Sequence, residues 1–143
     1  MLRDILLALD GSDGSARAVG FVRKLVARSA ARVTVLVVIE PPTPLPIPAL
    51  ESFAVSTPHP SPEHYAAAEE LIRTMITELG SASVHPRIEV GEAADTICRV
   101  ADELDADVIV MGARGRSGPA RWLMGSVSEQ VMRHAGRPVT IVH

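Results

Sequence analysis

Cysteine is almost absent from this chain of 143 residues, and so are long apolar runs. Cys98 is the single cysteine, so no disulfide can form within the chain, which is typical of reducing compartments. The start, MLRDILLALD, has an aspartate at position 4 and only five consecutive apolar residues, unlike a signal peptide. No apolar run approaches the roughly 20 residues that cross a bilayer. We therefore expect a soluble, cytoplasmic protein with no membrane partner.

Aromatic side chains and excess positive charge are also lacking. Aromatic residues make up 3% of the sequence and hydrophobic residues 47%, so the core must be built from aliphatic side chains. The formal net charge is -3, which excludes the basic surface of a typical nucleic-acid-binding protein. The five histidines and one cysteine form no HExxH pattern and no structural zinc site. We expect neither a nucleic-acid partner nor a metal site built from protein side chains.

Short apolar runs alternate with amphipathic stretches along the chain. Strands are predicted at residues 5–9, 33–39, 85–90, 107–111 and 139–143. Helices are predicted at residues 15–30, 62–79, 93–105 and 126–135. This order predicts an α/β fold in which residues 1–143 form a single domain, with a parallel sheet and helices on both faces. The strand at 85–90 alternates in polarity and should be the more exposed one.

Residues 41–62 interrupt this pattern. They contain eight of the eleven prolines, so they cannot form a regular helix or a central strand. Long loops in compact domains are uncommon and often have a function. The segment is either an extended surface connection or a lid or partner-docking loop.

Glycines cluster in a second segment, MGARGRSGPARWLMGSVS, at residues 111–128. Gly112 follows the fourth predicted strand and Gly125 precedes the last predicted helix. Ligands of open parallel sheets bind at the carboxyl ends of the strands, and free amides at a helix start favour anions. The segment therefore predicts a phosphate site. Positive charge would come from the loop arginines Arg114, Arg116 and Arg121.

Two structural explanations of this pattern stay open. Ser126 and Glu129 have the spacing of a capping box, which would satisfy the helix amides with no ligand present. Gly115 and Gly118 have the character of ordinary turn residues. The segment is neither a P-loop nor a dinucleotide fingerprint, because GxxxxGK[ST] is absent and no GxGxxG follows the first strand.

The spacing Gly112-x2-Gly115-x9-Gly125-Ser126 resembles the ATP-binding signature of the universal stress protein family. The resemblance extends to ILLALDGSDGSARAV, to VTVLVVIEP and to the last third of the chain, which ends in GRPVTIVH. It implies a Rossmann-like, five-stranded parallel sheet with strand order 3-2-1-4-5. It also implies ATP as ligand, accompanied by Mg²⁺, and a homodimer formed through the last strand, residues 139–143. An apolar, unpaired edge strand agrees with such a dimer.

The resemblance also implies which residues bind the nucleotide. They are Ala8, Leu9, Asp10, Val38, Met111, Gly112, Arg114, Gly115, Gly125, Ser126, Val127 and Ser128. Asp10 would lie near the ribose hydroxyls, and the backbone of Val38 would hold the adenine edge. The glycines and the start of the last helix would surround the phosphates.

We therefore predict a dimeric, ATP-dependent switch of the stress response, with a protein partner that the sequence does not identify. No catalytic residue is predicted, because no motif places a base and a water beside a γ-phosphate. Three alternatives stay open: a nucleotide-independent dimeric scaffold, a slow ATPase or phosphotransferase, and a cAMP binder.

Overall fold

The computed structural model describes residues 1–41, 59–80, 83–113 and 124–143. Strands and helices alternate through this part of the chain. The strands are β1 (Asp4–Leu9), β2 (Arg32–Ile39), β3 (Val84–Val90), β4 (Val108–Gly112) and β5 (Val139–Val142). The helices are α1 (Asp13–Val26), α2 (Pro62–Leu79), α3 (Ala93–Glu103) and α4 (Ser126–His134). The predicted α/β order is confirmed. No helix in the described ranges has the length and apolar character needed to span a membrane.

The five strands form one parallel sheet in the order β3-β2-β1-β4-β5. This confirms the order that the family resemblance implies. β1 is central, and Ile5 lies opposite Val33 of β2 on one side and Val108 of β4 on the other. The chain leaves β1 in one direction to build β2 and β3, then returns to build β4 and β5. The carboxyl ends of β1 and β4 therefore form a topological switch point, where open sheets bind ligands.

The sheet is buried between two pairs of helices. Ile5 and Leu7 of β1 face α1 and α2, whereas Leu6 faces α3 and α4, and all three are at most 2% exposed. This alternation follows from the two-residue period of a strand. It explains why the central strands are almost continuously apolar, and it confirms the predicted helices on both faces.

The observed bounds of α1 differ from the predicted residues 15–30 because of local hydrogen bonds at both ends of the helix. The helix begins at Asp13 because the Ser12 hydroxyl accepts from the Ser15 N–H at 3.2 Å and acts as the N-cap. It ends at Val26, not at residue 30, because the next amides bond three residues back, with Ser29 N–H donating to the Val26 carbonyl. The bounds of β4 also differ by one residue, since the strand begins at Val108 and ends at Gly112.

β3 forms a charged edge of the sheet, and its side chains are half-buried or exposed, as its alternation predicted. Arg87 donates to Glu89 at 2.7 Å and to Glu103 of α3 at 2.5 Å. Arg99 of α3 donates to Glu89 at 2.9 Å. The hydrogen bond from Arg87, followed by that from Arg99, holds the pKa of Glu89 below its usual value. The network ties α3 to the edge strand.

Candidate functional site

A cavity of about 450 Å³ lies at the carboxyl ends of β1, β2 and β4. Its volume is within the range of about 300–1,000 Å³ that is typical of small-molecule sites. The strand ends form its floor, and the first turns of α3 and α4 together with the first three turns of α2 form its walls. It thus occupies the switch point that the strand order creates.

The structure brings ten of the twelve predicted binding residues to this cavity. They are Ala8, Leu9, Asp10, Val38, Met111, Gly112, Gly125, Ser126, Val127 and Ser128. Arg114 and Gly115 lie outside the described residues, as do Arg116, Gly118 and Arg121. Residues 42–58 of the proline-rich segment also lie outside them, so both proposed roles of that segment stay predictions.

Asp10 follows β1 and is held by the start of α1. The Ser15 hydroxyl donates to Asp10 Oδ1 at 2.7 Å, and the Ser12 N–H donates to the same oxygen at 2.9 Å. In return, the Asp10 N–H donates to the Ser15 hydroxyl at 2.8 Å. Both donors found among the described residues go to Oδ1, which leaves Oδ2 for a ligand. The carboxylate is therefore held in place at the cavity wall as an acceptor.

Gly112 has a packing role that its place in the motif did not reveal. A Cβ built on Gly112 would lie 2.5 Å from the carbonyl carbon of Gly14 and 2.8 Å from its Cα and oxygen. The end of β4 thus lies directly against the backbone of α1. The absence of a side chain at Gly112 is required by this contact, whether or not a phosphate binds nearby.

The start of α4 differs from the predicted capping box, which is wrong by one residue. Gly125 is the N-cap and Ser126 is already helical, so the Ser126 hydroxyl does not cap the helix. Glu129 accepts a bond from Arg133 at 2.7 Å instead of reaching back to the N-cap. Since Gly125 has no side chain, no side chain in the described part of the protein caps the first amides of α4 at the cavity, where an anion would satisfy them.

Ser128 connects the start of α4 to the end of β4 by hydrogen bonds. Its hydroxyl is buried and donates to the carbonyls of Ala113 at 2.8 Å and Gly125 at 3.0 Å. The Gly125 N–H also donates to the Ala113 carbonyl, at 2.7 Å. The Ser128 hydroxyl proton is therefore used within the protein. Among the described residues around the start of α4, the remaining donors for an anion are backbone amides and the Ser126 hydroxyl.

The starts of α1 and α3 are covered by the protein's own side chains. Ser12 caps α1, and Glu92 accepts from two amides of α3 at 2.7 and 3.2 Å. Glu40, directly after β2, accepts from the Ala93 N–H at 3.1 Å. The cavity therefore has two different ends: carboxylates at α3 and open amides at α4.

Three further residues that line the cavity were not predicted from the sequence: Glu40, His64 and Ser15. Glu40 lies two residues beyond Val38, so its nearness could have been noticed. His64 is brought to the cavity from a distant helix, and no sequence signal marks it.

Among the described residues, no group of three or more His, Cys, Asp or Glu side chains could hold a metal ion. Cys98 is half-buried, and burial, followed by the charge of Asp102, raises the pKa of its thiol. This environment disfavours the reactive thiolate.

The fold is that of a doubly wound α/β protein, and a cavity of the size of a small-molecule site lies at its switch point. The sequence model of the universal stress protein family matches residues 1–143, and the chain belongs to that family. A relative from Staphylococcus aureus strain USA300, also named as a universal stress protein, is 31% identical over 144 residues, which cover 98% of this chain and 83% of the relative.

Solved structures share the fold over almost the whole chain. The universal stress protein UspA from Lactobacillus plantarum is 24% identical with a TM-score of 0.81, covering 99% of this chain and 98% of that one. A universal stress protein in complex with cAMP is 26% identical with a TM-score of 0.71, covering 99% and 97%.

Proposed function

We propose that this universal stress protein binds ATP with Mg²⁺ in the described cavity and acts as a dimeric, nucleotide-dependent switch. The observation that carries the proposal is the start of α4. It opens on the cavity with no side-chain cap from the described residues, whereas α1 and α3 are capped by Ser12 and Glu92. The partial positive charge of such a helix end favours a phosphate.

The charges of the cavity orient the nucleotide. Carboxylates of Glu40 and Glu92 accept from amides at the start of α3 and would repel phosphates there, which supports a position of the phosphates at α4, over β4. Neighbouring strands lie about 4.8 Å apart, so the base reaches β2, two strands away. Apolar side chains suited to a planar base line that end: Val38, Ala67, Ala68, Leu71 and Ile97. The sugar then lies over β1, where Asp10 Oδ2 accepts from a ribose hydroxyl.

A second candidate ligand is cAMP, because a structural neighbour that is 26% identical was solved in complex with cAMP. cAMP has one phosphate with a single charge. A triphosphate makes fuller use of the amides at α4, and Mg²⁺ binds through phosphate oxygens without a dedicated protein site. We therefore favour ATP, and the experiment below compares the two ligands directly.

Thermal unfolding with and without ligand tests the proposal. At a concentration of 100 times its Kd, MgATP should add about 2.7 kcal/mol to the free energy of unfolding. For a domain of this size that raises Tm by roughly 5–10 °C. No rise at millimolar MgATP or cAMP would support a nucleotide-independent scaffold. A larger rise with cAMP than with MgATP, at equal saturation, would identify cAMP as the ligand.

Gly125→Asp provides the matched variant. Its extended backbone (φ -67°, ψ 154°) suits any residue, and Asp is a preferred N-cap, so folding should be preserved. The new carboxylate covers the helix amides and repels a phosphate, so the MgATP shift should disappear. Gly125→Ser caps the same amides without charge and should lose less of the shift. An undiminished shift in Gly125→Asp would contradict phosphate binding at α4.

We also propose that the homodimer forms by antiparallel pairing of β5. The sheet has two edge strands, and β3 carries Pro86, Arg87 and Glu89, which discourage pairing. β5 reads VTIV, has no charge, and all four of its residues are half-buried. Thr140→Lys should shift sedimentation equilibrium to the monomer, whereas His85→Lys on the β3 edge should leave the mass unchanged. A dimer that withstands Thr140→Lys would argue for another interface.

A further inference from the structure

We propose that Ser15 is a positioning residue of the cavity: its buried hydroxyl orients the Asp10 carboxylate toward the sugar of the ligand, and this orientation makes the protein prefer a ribonucleotide to its deoxy analogues. This inference rests on the proposed nucleotide function. It gives Ser15 a role that is exerted through Asp10 and not by contact with the ligand.

Ser15 and Asp10 are joined by two hydrogen bonds that run in opposite directions. The Ser15 hydroxyl donates to Asp10 Oδ1 at 2.7 Å and accepts from the Asp10 N–H at 2.8 Å. One hydroxyl thus holds both the backbone and the side chain of Asp10. Because its single proton is used in this pair, the Ser15 hydroxyl lines the cavity with no proton left to donate to a ligand.

The Ser15 hydroxyl can orient Asp10 because its own position is fixed. Ser15 is 3% exposed and lies in the first turn of α1, where its N–H donates to the Ser12 hydroxyl at 3.2 Å. The backbone of the preceding residue, Gly14, packs against the end of β4 at Gly112. Asp10, in contrast, is half-buried and follows the end of β1. Ser15 is therefore the anchored member of the pair, and Asp10 is the member that it holds.

This pair determines which oxygen of Asp10 is open to a ligand. Oδ1 accepts from the Ser15 hydroxyl and from the Ser12 N–H, at 2.7 and 2.9 Å, whereas no described residue donates to Oδ2. An ionised carboxylate can only accept, so Oδ2 calls for a hydroxyl of the sugar. Without the Ser15 hydroxyl the carboxylate can rotate away. A group that is held in its binding orientation beforehand contributes more to affinity than one that is ordered on binding.

Titration calorimetry of the full chain with ATP, 2′-deoxyATP and 3′-deoxyATP, each with Mg²⁺, tests the proposal. Wild type should bind ATP at least about tenfold more tightly than one of the two analogues, the effect of one hydrogen bond to a charged acceptor. In Ser15→Ala this ratio should fall below about threefold, because ATP loses affinity and that analogue does not. An equal loss of affinity for all three nucleotides would indicate a structural role and overturn the proposal.

Ser128→Ala is the matched control. Ser128 is also buried, at 2% exposed, and lines the same cavity, but its hydroxyl donates to the carbonyls of Ala113 and Gly125 and not to Asp10. This substitution should change the affinities for the three nucleotides by one common factor and leave their ratio at the wild-type value. A ratio that falls equally in both serine variants would contradict a specific role of Ser15.

A double-mutant cycle separates action through Asp10 from direct contact with the sugar. Asp10→Ala should by itself remove the preference for the ribonucleotide. Adding Ser15→Ala should then lower the affinity for ATP no further. An additional loss in the Asp10→Ala background would show that Ser15 acts on the nucleotide without Asp10, and the positioning role would be wrong.

Ser15→Cys keeps the proposal open to refutation if Ser15→Ala does not fold. The cysteine side chain has nearly the shape of serine, but its thiol is a weak donor, so the preference for the ribonucleotide should fall in this variant too. A wild-type preference in either folded variant would overturn the proposal. If wild type binds none of the three nucleotides, the proposed function itself fails. If it binds all three alike, only the role of Ser15 fails.

Discussion

Replacement of Gly112 by alanine is expected to destabilise the fold more than the same change at Gly20, Gly80, Gly91 or Gly136. The new Cβ would lie 2.5 Å from the Gly14 carbonyl carbon, well inside van der Waals contact. The Cβ position is fixed by the Gly112 backbone, and the Gly14 atoms that it meets are backbone atoms, so no side-chain rotation relieves the overlap. β4 and α1 must move apart, which disturbs the floor of the cavity.

The magnitude follows from the cost of overpacking, which is typically 1–3 kcal/mol. Because neither backbone can give way locally, we expect the upper end, about 3 kcal/mol. For a chain of this size that lowers Tm by roughly 10 °C.

Gly20→Ala is the control, since nothing lies within 4 Å of a Cβ at this position in the interior of α1. It should raise the free energy of unfolding by about 0.5–1 kcal/mol, because Ala loses less backbone entropy in a helix. Urea and thermal unfolding of both variants, without ligand, give the comparison. A Gly112→Ala protein that melts within 2–3 °C of wild type, roughly the effect of 1 kcal/mol, would refute the close backbone contact.

Three further predictions follow from contacts near the site and at the sheet edge. Ser128→Ala should lower the free energy of unfolding by about 1 kcal/mol. The buried hydrogen bond from the hydroxyl to the Ala113 carbonyl is lost, but the Gly125 N–H still donates to that oxygen. Chemical denaturation measures the change, and an unchanged free energy of unfolding would contradict the hydrogen bond. Glu89→Gln should be less stable than wild type at neutral pH, and the difference should narrow as pH falls below about 4.5. The folded protein holds the pKa of Glu89 below its value in the unfolded chain, so the ionised carboxylate stabilises the fold at pH values above the unfolded pKa. This stabilisation is lost as the pH falls and the folded protein takes up the proton. A difference in stability that does not change with pH would exclude the charge interaction. Cys98 should react with a disulfide reagent more slowly than a free thiol at pH 7, since its pKa is raised, and a rate equal to that of free cysteine would show an exposed thiolate.

Much of the fold could be predicted from hydrophobic pattern alone. Continuous apolar runs marked β1, β2 and β4 because strands covered on both faces leave no polar side. The pattern does not encode which strands are neighbours, and the order 3-2-1-4-5 came from the family resemblance. The bounds of α1 were shifted because capping by Ser12 outweighs hydrophobic periodicity at a helix end.

The candidate site was predicted in composition but not in detail. The spacing Ser126-x-x-Glu129 fits a capping box, yet Gly125 is the N-cap. The Ala113 carbonyl takes bonds from both Gly125 and Ser128, and these contacts set where the helix begins. The N-cap of α4 is therefore decided by contacts with Ala113, which lies outside the helix. The local sequence is compatible with an N-cap at Gly125 or at Ser126.

The sequence by itself determined the alternation of strands and helices, the aliphatic core and the glycine-rich connection after β4, because these depend on local periodicity and composition. Only the tertiary structure decided what shares the cavity. Glu40 and His64 come from different elements and meet there because the strand order brings the ends of β1, β2 and β4 to one edge. It also decided why Gly112 is a glycine, since the backbone that excludes a side chain there belongs to α1, almost a hundred residues away.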